Sequence, residues 1–123
     1  MANPNIAGLS NIYGKTVFDA DIATSASAIV TNAASSGKIL KINSLIIANI
    51  DGSNAADITV TIQNAAGNSV SSTIANTVSV PADATLVIIS KDAQIYLEED
   101  MSIHLASSAA GDLSATCSYD EIS

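Results

Sequence analysis

The chain has 123 residues, which predicts a single domain with one small core. Aromatic residues make up only 3% and charged residues 13%, and 12 acidic residues against four lysines and no arginine give a net charge of -8. Binding to nucleic acids or to anionic membranes depends on basic patches, so this composition excludes both classes of partner. Cys117 and His104 are the single cysteine and histidine, which excludes a disulfide-stapled fold and a paired-thiolate zinc site.

Neither a signal peptide nor a membrane span is predicted. No basic region followed by a long apolar run comes after Met1. The longest apolar run, residues 45–48, is far shorter than the roughly 20 residues that a membrane helix needs. We therefore expect a soluble chain that is made in a cytoplasm and begins at its own Met1.

Alternating apolar and polar residues predict β-strands along most of the chain. The alternation is clearest in 57–63, 101–106 and 113–120. Segments 38–50 and 84–90 contain continuous apolar runs at 45–48 and 86–89, which predicts strands that are covered on both faces there. The shorter predicted strands are 14–19, 26–30, 73–80 and 94–97. About eight strands separated by turn residues predict an all-β antiparallel β-sandwich, of jelly-roll or immunoglobulin-like type.

Residues 1–13 show no alternation and are expected to lie outside the sandwich domain, residues 14–123. Two interpretations of this segment stay open. It is either a frayed terminus or an extended N-terminal arm that lies on a neighbouring subunit. In the second case its apolar side chains are the partner-binding residues: Ile6, Leu9, Ile12 and Tyr13.

The sequence contains no recognisable catalytic constellation. His104 falls on the polar side of its predicted strand and is expected at the surface. Cys117 falls on the apolar side, so it is expected to be a small buried hydrophobic residue rather than a nucleophile. No glycine-rich loop leads from a strand into a helix, as a phosphate site would require. We therefore predict no enzyme, no cofactor and no metal site.

Two acidic turns offer oxygen atoms that a hard cation could use. The first holds Asp51, Ser53 and Asp57, but Ala55 breaks the spacing of a calcium loop, and an Asx turn accounts for it better. The second, residues 98–100, is interpreted as a solvated hairpin turn rather than as a cation site or a lysine-binding site. Whether either turn binds a cation stays open.

Several stretches carry a resemblance. They are YGKT (13–16), TNAASSGK (31–38), KINSLIIANIDG (41–52), SVPADA (79–84), IYLEED (95–100) and CSYDEIS (117–123). These stretches resemble small virion structural proteins of tailed phages that infect marine and freshwater bacteria, cyanobacteria among them. The resemblance implies a non-enzymatic part of the particle, made in the host cytoplasm and located in the virion, and it brings no catalytic residues.

Three functions follow as expectations. The first is a capsid decoration (cement) protein, a homo-oligomer that binds the major capsid protein and copies of itself and so bridges capsid subunits. The second is a neck or tail component of the virion. The third, a carbohydrate- or cation-binding β-sandwich module, rests on analogy of fold.

Overall fold

The computed structural model describes residues 3–64 and 71–123, which form β-strands joined by short turns. The strands are β1 (Ile12–Asp19), β2 (Ser27–Asn32), β3 (Ile39–Asn49), β4 (Ala56–Asn64), β5 (Ser71–Val80), β6 (Thr85–Ile89), β7 (Ile95–Leu97), β8 (Met101–Ser107) and β9 (Leu113–Ile122). Single turns of 3₁₀ helix lie at Ile6–Gly8 and Lys91–Ala93. Because these strands form two antiparallel sheets, the prediction of an all-β sandwich is confirmed. No helix in the described ranges is long and apolar enough to cross a membrane.

The order of the strands distinguishes the two predicted types of sandwich. Sheet A has the order β1-β9-β3-β6, with β7 pairing beside β6 on the other end of β3. Sheet B has the order β2-β8-β4-β5. The first strand therefore pairs with the last, β2 with β8, β3 with β6 and β7, and β4 with β5. This nested pairing is the jelly-roll arrangement, and it excludes the immunoglobulin-like alternative.

The core lies between the sheets and consists almost entirely of aliphatic side chains. The period of two in β4, β8 and β9 points one set of side chains inward, as predicted. The largest fully buried side chains are Ile22, Ile42, Leu45, Ile47, Ile58, Val60, Val80, Ile89, Leu97, Ile103, Leu105 and Leu113.

The prediction that residues 45–48 and 86–89 are covered on both faces is wrong. Along β3, Leu45 and Ile47 are buried, but Ile46 and Ala48, which follow them, are only partly buried. On β6, Val87 is 55% exposed. Sheet B covers one face of sheet A, and no described segment covers the other. The continuous apolar runs therefore place Ile46, Ala48 and Val87 on the outer face of sheet A.

A buried asparagine joins the turns at one end of the sandwich. Asn49, the last residue of β3, donates from Nδ2 to the carbonyl oxygens of Asn54 and Val80, each at 2.9 Å. Its Oδ1 accepts a hydrogen bond from the N–H of Asp51 at 2.8 Å. Because Asn54 lies between β3 and β4 and Val80 ends β5, this single side chain holds together two connections that cross between the sheets.

The N-terminal segment lies against its own chain. Asn3 Nδ2 donates to Glu98 Oε1 at 2.6 Å, and the N–H groups of Ser10 and Asn11 both donate to the Ser123 carbonyl oxygen at 2.9 Å. Strand β1 begins at Ile12, two residues before the predicted boundary at residue 14, because this pairing with the C-terminus extends the ladder. Contact of the segment with a neighbouring subunit stays a prediction.

Candidate interaction surface

The outward face of sheet A carries a line of three apolar side chains and one threonine across four adjacent strands. In the cross-strand register Phe18 lies opposite Thr116, Thr116 opposite Ile46, and Ile46 opposite Val87. Three strand spacings make this line about 14 Å wide. We call these four residues the apolar row. It contains no charged side chain, so a partner surface that covers it need not desolvate an ion.

Two members of the apolar row are among the most exposed large hydrophobic residues of the described chain. Phe18 is 75% exposed and Val87 55% exposed. Ile50, which follows β3 and is 58% exposed, extends the same surface beyond the end of the strand. Its position is fixed by a hydrogen bond from its N–H to the Asp112 carbonyl oxygen at 2.7 Å. Clustered exposed apolar residues of this kind mark interaction surfaces, whereas isolated ones do not.

An open depression of about 300 Å³ lies beside the apolar row. Phe18 and Ile50 stand in its walls, and Asp19, Ala20, Ser114, Ala115 and Thr116 complete its lining. Its volume is at the lower end of the range for small-molecule pockets. Its lining combines apolar side chains with the hydroxyls of Ser114 and Thr116 and the carboxylate of Asp19. Such a depression can accept one or two apolar side chains of a partner protein, with the hydroxyls available for its backbone.

A small ion-pair network lies where β1 and β9 meet the start of β3. Glu121 binds Lys15 Nζ through Oε2 at 2.9 Å and Lys38 Nζ through Oε1 at 3.0 Å. The hydrogen bond from Lys15, with a second one from Lys38, lowers the pKa of Glu121 below its ordinary value. The same hydrogen bond raises the pKa of Lys15. Two of the four lysines of the chain are thus paired with a carboxylate of the same subunit.

The residues predicted to bind a partner do not lie on the apolar row. Ile6 is exposed in the first 3₁₀ turn, and Leu9 is half-buried between this turn and β1. Ile12 and Tyr13 are exposed at the start of β1, where consecutive side chains point to opposite faces. Their role as partner-binding residues stays a prediction.

Phe18, Ile50 and Val87 were not predicted from the sequence. The available signal for Val87 and for its neighbour Ile46 was the continuous apolar runs 45–48 and 86–89, whereas Phe18 and Ile50 lie outside these runs. That signal was interpreted as cover supplied by the chain itself, whereas it is equally typical of a face that a partner covers.

The single histidine and the single cysteine lie on strands, one partly exposed and one in the core. His104 is half-buried on β8, and its Nδ1 lies 3.3 Å from Ser102 Oγ. Cys117 is fully buried in β9, which confirms its predicted place in the core, and burial raises the pKa of its thiol to about 11. Within residues 3–64 and 71–123, no group of three or more His, Cys, Asp and Glu side chains is arranged to hold a metal ion.

The first acidic turn is the predicted Asx turn. Asp51 Oδ1 accepts the N–H of Ser53 at 2.8 Å, and Asp51 Oδ2 accepts Asn54 Nδ2 at 3.1 Å. The backbone hydrogen bond from Ser53 is the main reason that the pKa of Asp51 is lowered. Asp57 lies outside the turn, in β4. Both Asp51 oxygens therefore stabilise the turn itself.

The prediction that the second acidic turn, residues 98–100, is a solvated hairpin is wrong. Glu99 is only 3% exposed, and its Oε2 accepts the N–H of Gly37 at 2.6 Å. The N–H of Asp100 donates to the carbonyl oxygen of Asn32 at 2.8 Å. This turn is therefore packed against the β2–β3 connection, because Gly37, with a φ of 69°, presents its N–H to the carboxylate.

Comparison with known proteins adds no family assignment: no protein-family model matches the chain, and no curated protein matches it.

Proposed function

We propose that this chain is a structural protein of a phage virion, a capsid decoration protein that binds and bridges capsid subunits through the outward face of sheet A. The observation that carries the proposal is the apolar row, which the fold leaves open to solvent. Two further points support it. The sequence resembles virion structural proteins, and the jelly roll is an architecture that capsid proteins use, which is an argument from analogy.

The apolar row provides enough surface for binding. A phenylalanine side chain presents roughly 200 Å², so the 75% exposure of Phe18 leaves about 150 Å² for a partner to cover. At about 25 cal/mol per Å², this residue contributes up to about 4 kcal/mol to an interface that buries it fully. Ile50 and Val87 add smaller amounts, and the ordering of both partners reduces the sum.

A repeated lattice strengthens such binding. A capsid presents many identical sites, and a decoration protein that is itself oligomeric engages several of them together. The second contact of a linked pair is intramolecular, so modest affinity per site produces tight attachment to the particle. A rigid sandwich suits this task because its binding face loses little conformational entropy when it docks.

The location of the chain in the particle tests the proposal directly. Cryo-EM of the virion and quantitative mass spectrometry of its proteins should give hundreds of copies distributed over the head. A single ring of copies at the neck or along the tail would replace the decoration role by the alternative of a neck or tail component. Absence from purified particles would contradict both roles.

A matched pair of substitutions tests the surface. Val87 belongs to the apolar row on sheet A, whereas Val78, 37% exposed, lies on β5 of sheet B. We expect Val87→Asp to weaken binding to undecorated particles at least tenfold, because a carboxylate would be desolvated in the interface. Val78→Asp should bind as the wild type does. Equal binding by the two variants would exclude the outward face of sheet A.

A further inference from the structure

The edge strands of the two sheets differ in how they are protected from pairing. In the described residues, β2, β5 and β6 each contain a register shift, and β7 has only three residues. Such bulges and short lengths discourage a further strand from adding to an edge. Strand β1 has eight residues paired with β9 without a shift, no proline and one charged residue, Lys15, before its last position. Its outer edge is therefore regular and open.

The pair of residues just before β1 shows which backbone groups of β1 face away from β9. Asn11 and Ser123 exchange two hydrogen bonds, from Asn11 N–H to Ser123 oxygen at 2.9 Å and from Ser123 N–H to Asn11 oxygen at 3.0 Å. Such reciprocal pairs alternate with non-bonded pairs along an antiparallel ladder. The even-numbered residues 12, 14, 16 and 18 consequently point their N–H and C=O groups away from β9, towards solvent.

Gly14 has no function within the subunit that accounts for it. Its φ is not positive, and the nearest atom to a Cβ built on it is Asp120 Oδ1, at 3.9 Å. A glycine in a strand destabilises it and often marks a place where another chain approaches closely. Phe18 lies four residues away on the same outward face, with three-quarters of its surface exposed.

We propose that β1 pairs antiparallel with β1 of a second copy, about a two-fold axis that passes through Thr16. The two copies of sheet A then form one continuous sheet, in the order β6-β3-β9-β1-β1-β9-β3-β6. Phe18 of each copy lies opposite Gly14 of the other, so the ring covers the backbone that the missing side chain leaves open. The inference rests on this edge and holds whether or not the chain is a virion protein.

Charge and the length of the ladder together select this register from its neighbours. A two-fold axis perpendicular to the sheet keeps even-numbered residues opposite even-numbered ones, so the axis lies on a single residue. An axis at Lys15 places two lysines directly opposite each other. An axis at Val17 places Lys15 opposite Asp19 but limits the ladder to residues 15–19, whereas an axis at Thr16 pairs residues 13–19. An axis at Thr16 places Lys15 opposite Val17 of the second copy. Lys15 is then diagonal both to Asp19 and to Lys15 of the second copy, and Glu121 offsets the charge of each lysine.

Cysteine cross-linking tests the register. In an antiparallel hydrogen-bonded pair the Cα atoms are about 5.5 Å apart, within the range of a disulfide. We expect Thr16→Cys to form a disulfide-linked dimer on mild oxidation. Lys15→Cys alone and Val17→Cys alone should each form few disulfide-linked dimers, because each residue is diagonal to its own counterpart in the second copy. An equimolar mixture of the two variants should form the mixed dimer readily, because Lys15 and Val17 lie directly opposite each other. Cys117 does not compete, since its thiol is buried. Failure of Thr16→Cys to link, or equal linking of all three single variants, would overturn the proposal.

Proline provides an independent test. Thr16→Pro removes an N–H that faces away from β9, so the monomer keeps its ladder while the intermolecular bond is lost. Sedimentation equilibrium should give about twice the chain mass for the wild type and the chain mass for the variant, with dimer affinity at least a hundredfold weaker. A monomeric wild type, or a folded Thr16→Pro variant that still dimerises, would contradict the inference. Where the variant does not fold by circular dichroism, the cross-linking decides.

The failures of the two proposals are distinguishable. A chain that links through Thr16→Cys but is absent from virions removes the proposed function and leaves this dimer in place. A chain that is monomeric in solution but is found on the capsid would overturn the dimer and leave the proposed function in place.

Discussion

Removing the side chain of Asn49 should destabilise the fold measurably, because this buried residue joins two connections between the sheets. Asn49→Ala removes two hydrogen bonds to carbonyl oxygens and one from a backbone N–H. It also leaves the buried Val80 carbonyl without this donor. The perturbation is local, since β3 continues to pair with β6 and β9 on its backbone.

The magnitude follows from the number of bonds. A hydrogen bond contributes about 1 kcal/mol net, and an unsatisfied buried group costs somewhat more, so Asn49→Ala should lower the free energy of unfolding by about 3 kcal/mol. A domain of this size is stable by roughly 5–15 kcal/mol. The loss corresponds to a decrease in melting temperature of about 10 °C.

Chemical and thermal denaturation, followed by circular dichroism, measure this loss. The control is Asn54→Ala, which removes one exposed hydrogen bond of 3.1 Å to Asp51 in the same loop and should cost about 0.5 kcal/mol or less. An Asn49→Ala variant as stable as the Asn54→Ala variant would refute the argument that the asparagine holds the two connections together.

Three further predictions concern charge, reactivity and backbone conformation. Hydrogen bonds from two lysines lower the pKa of Glu121 in the folded state. The ionised Glu121 carboxylate therefore stabilises the fold fully above its pKa in the unfolded chain, and this stabilisation is lost as the pH falls through its pKa in the folded protein. Melting curves should show that Glu121→Gln is less stable than the wild type at pH 7 and that the difference in stability disappears below about pH 4. The thiol of Cys117 should react with a thiol reagent only after unfolding, and rapid labelling of the native protein at pH 8 would argue against its burial. Gly111→Ala, at a φ of 84°, should lower stability by about 1 kcal/mol, whereas Gly14→Ala should raise the stability of the monomer by about 0.5 kcal/mol; equal effects would contradict the backbone argument.

The positions of the strands were predictable because strand alternation is a local property. Whether residues 57–63 alternate depends only on those residues, and β4, Ala56–Asn64, extends the predicted segment by one residue at each end. Strands β8, Met101–Ser107, and β9, Leu113–Ile122, begin at their predicted first residues 101 and 113 and extend beyond the predicted last residues 106 and 120. The segments recognised by weaker patterns, including the three residues of β7, also proved to be strands.

The pairing of the strands was not predictable in the same way. Opposite residues such as Ile12 and Ile122 are separated by almost the whole chain, and no feature of either segment specifies its partner. Jelly-roll and immunoglobulin-like sandwiches share the same local patterns, so only the long-range contacts distinguish them. The outward apolar row has the same origin, since Ile46 and Val87 meet only after β3 and β6 pair.

Buried polar groups were the least accessible to sequence reasoning. Glu99 was expected in solvent because burying a carboxylate is costly unless it is hydrogen-bonded. The compensating donor, the N–H of Gly37, belongs to a turn 62 residues away along the chain.

The sequence by itself determined that this chain is all-β, which residues form strands, and that the chain is strongly acidic, because these follow from local periodicity and from summed charge. Only the tertiary structure decided that the sandwich is a jelly roll, that Phe18, Ile46 and Val87 share one open face, and that β1 is left as a regular edge. The physical reason is that each of these depends on contacts between distant segments, which form only when the whole chain is folded.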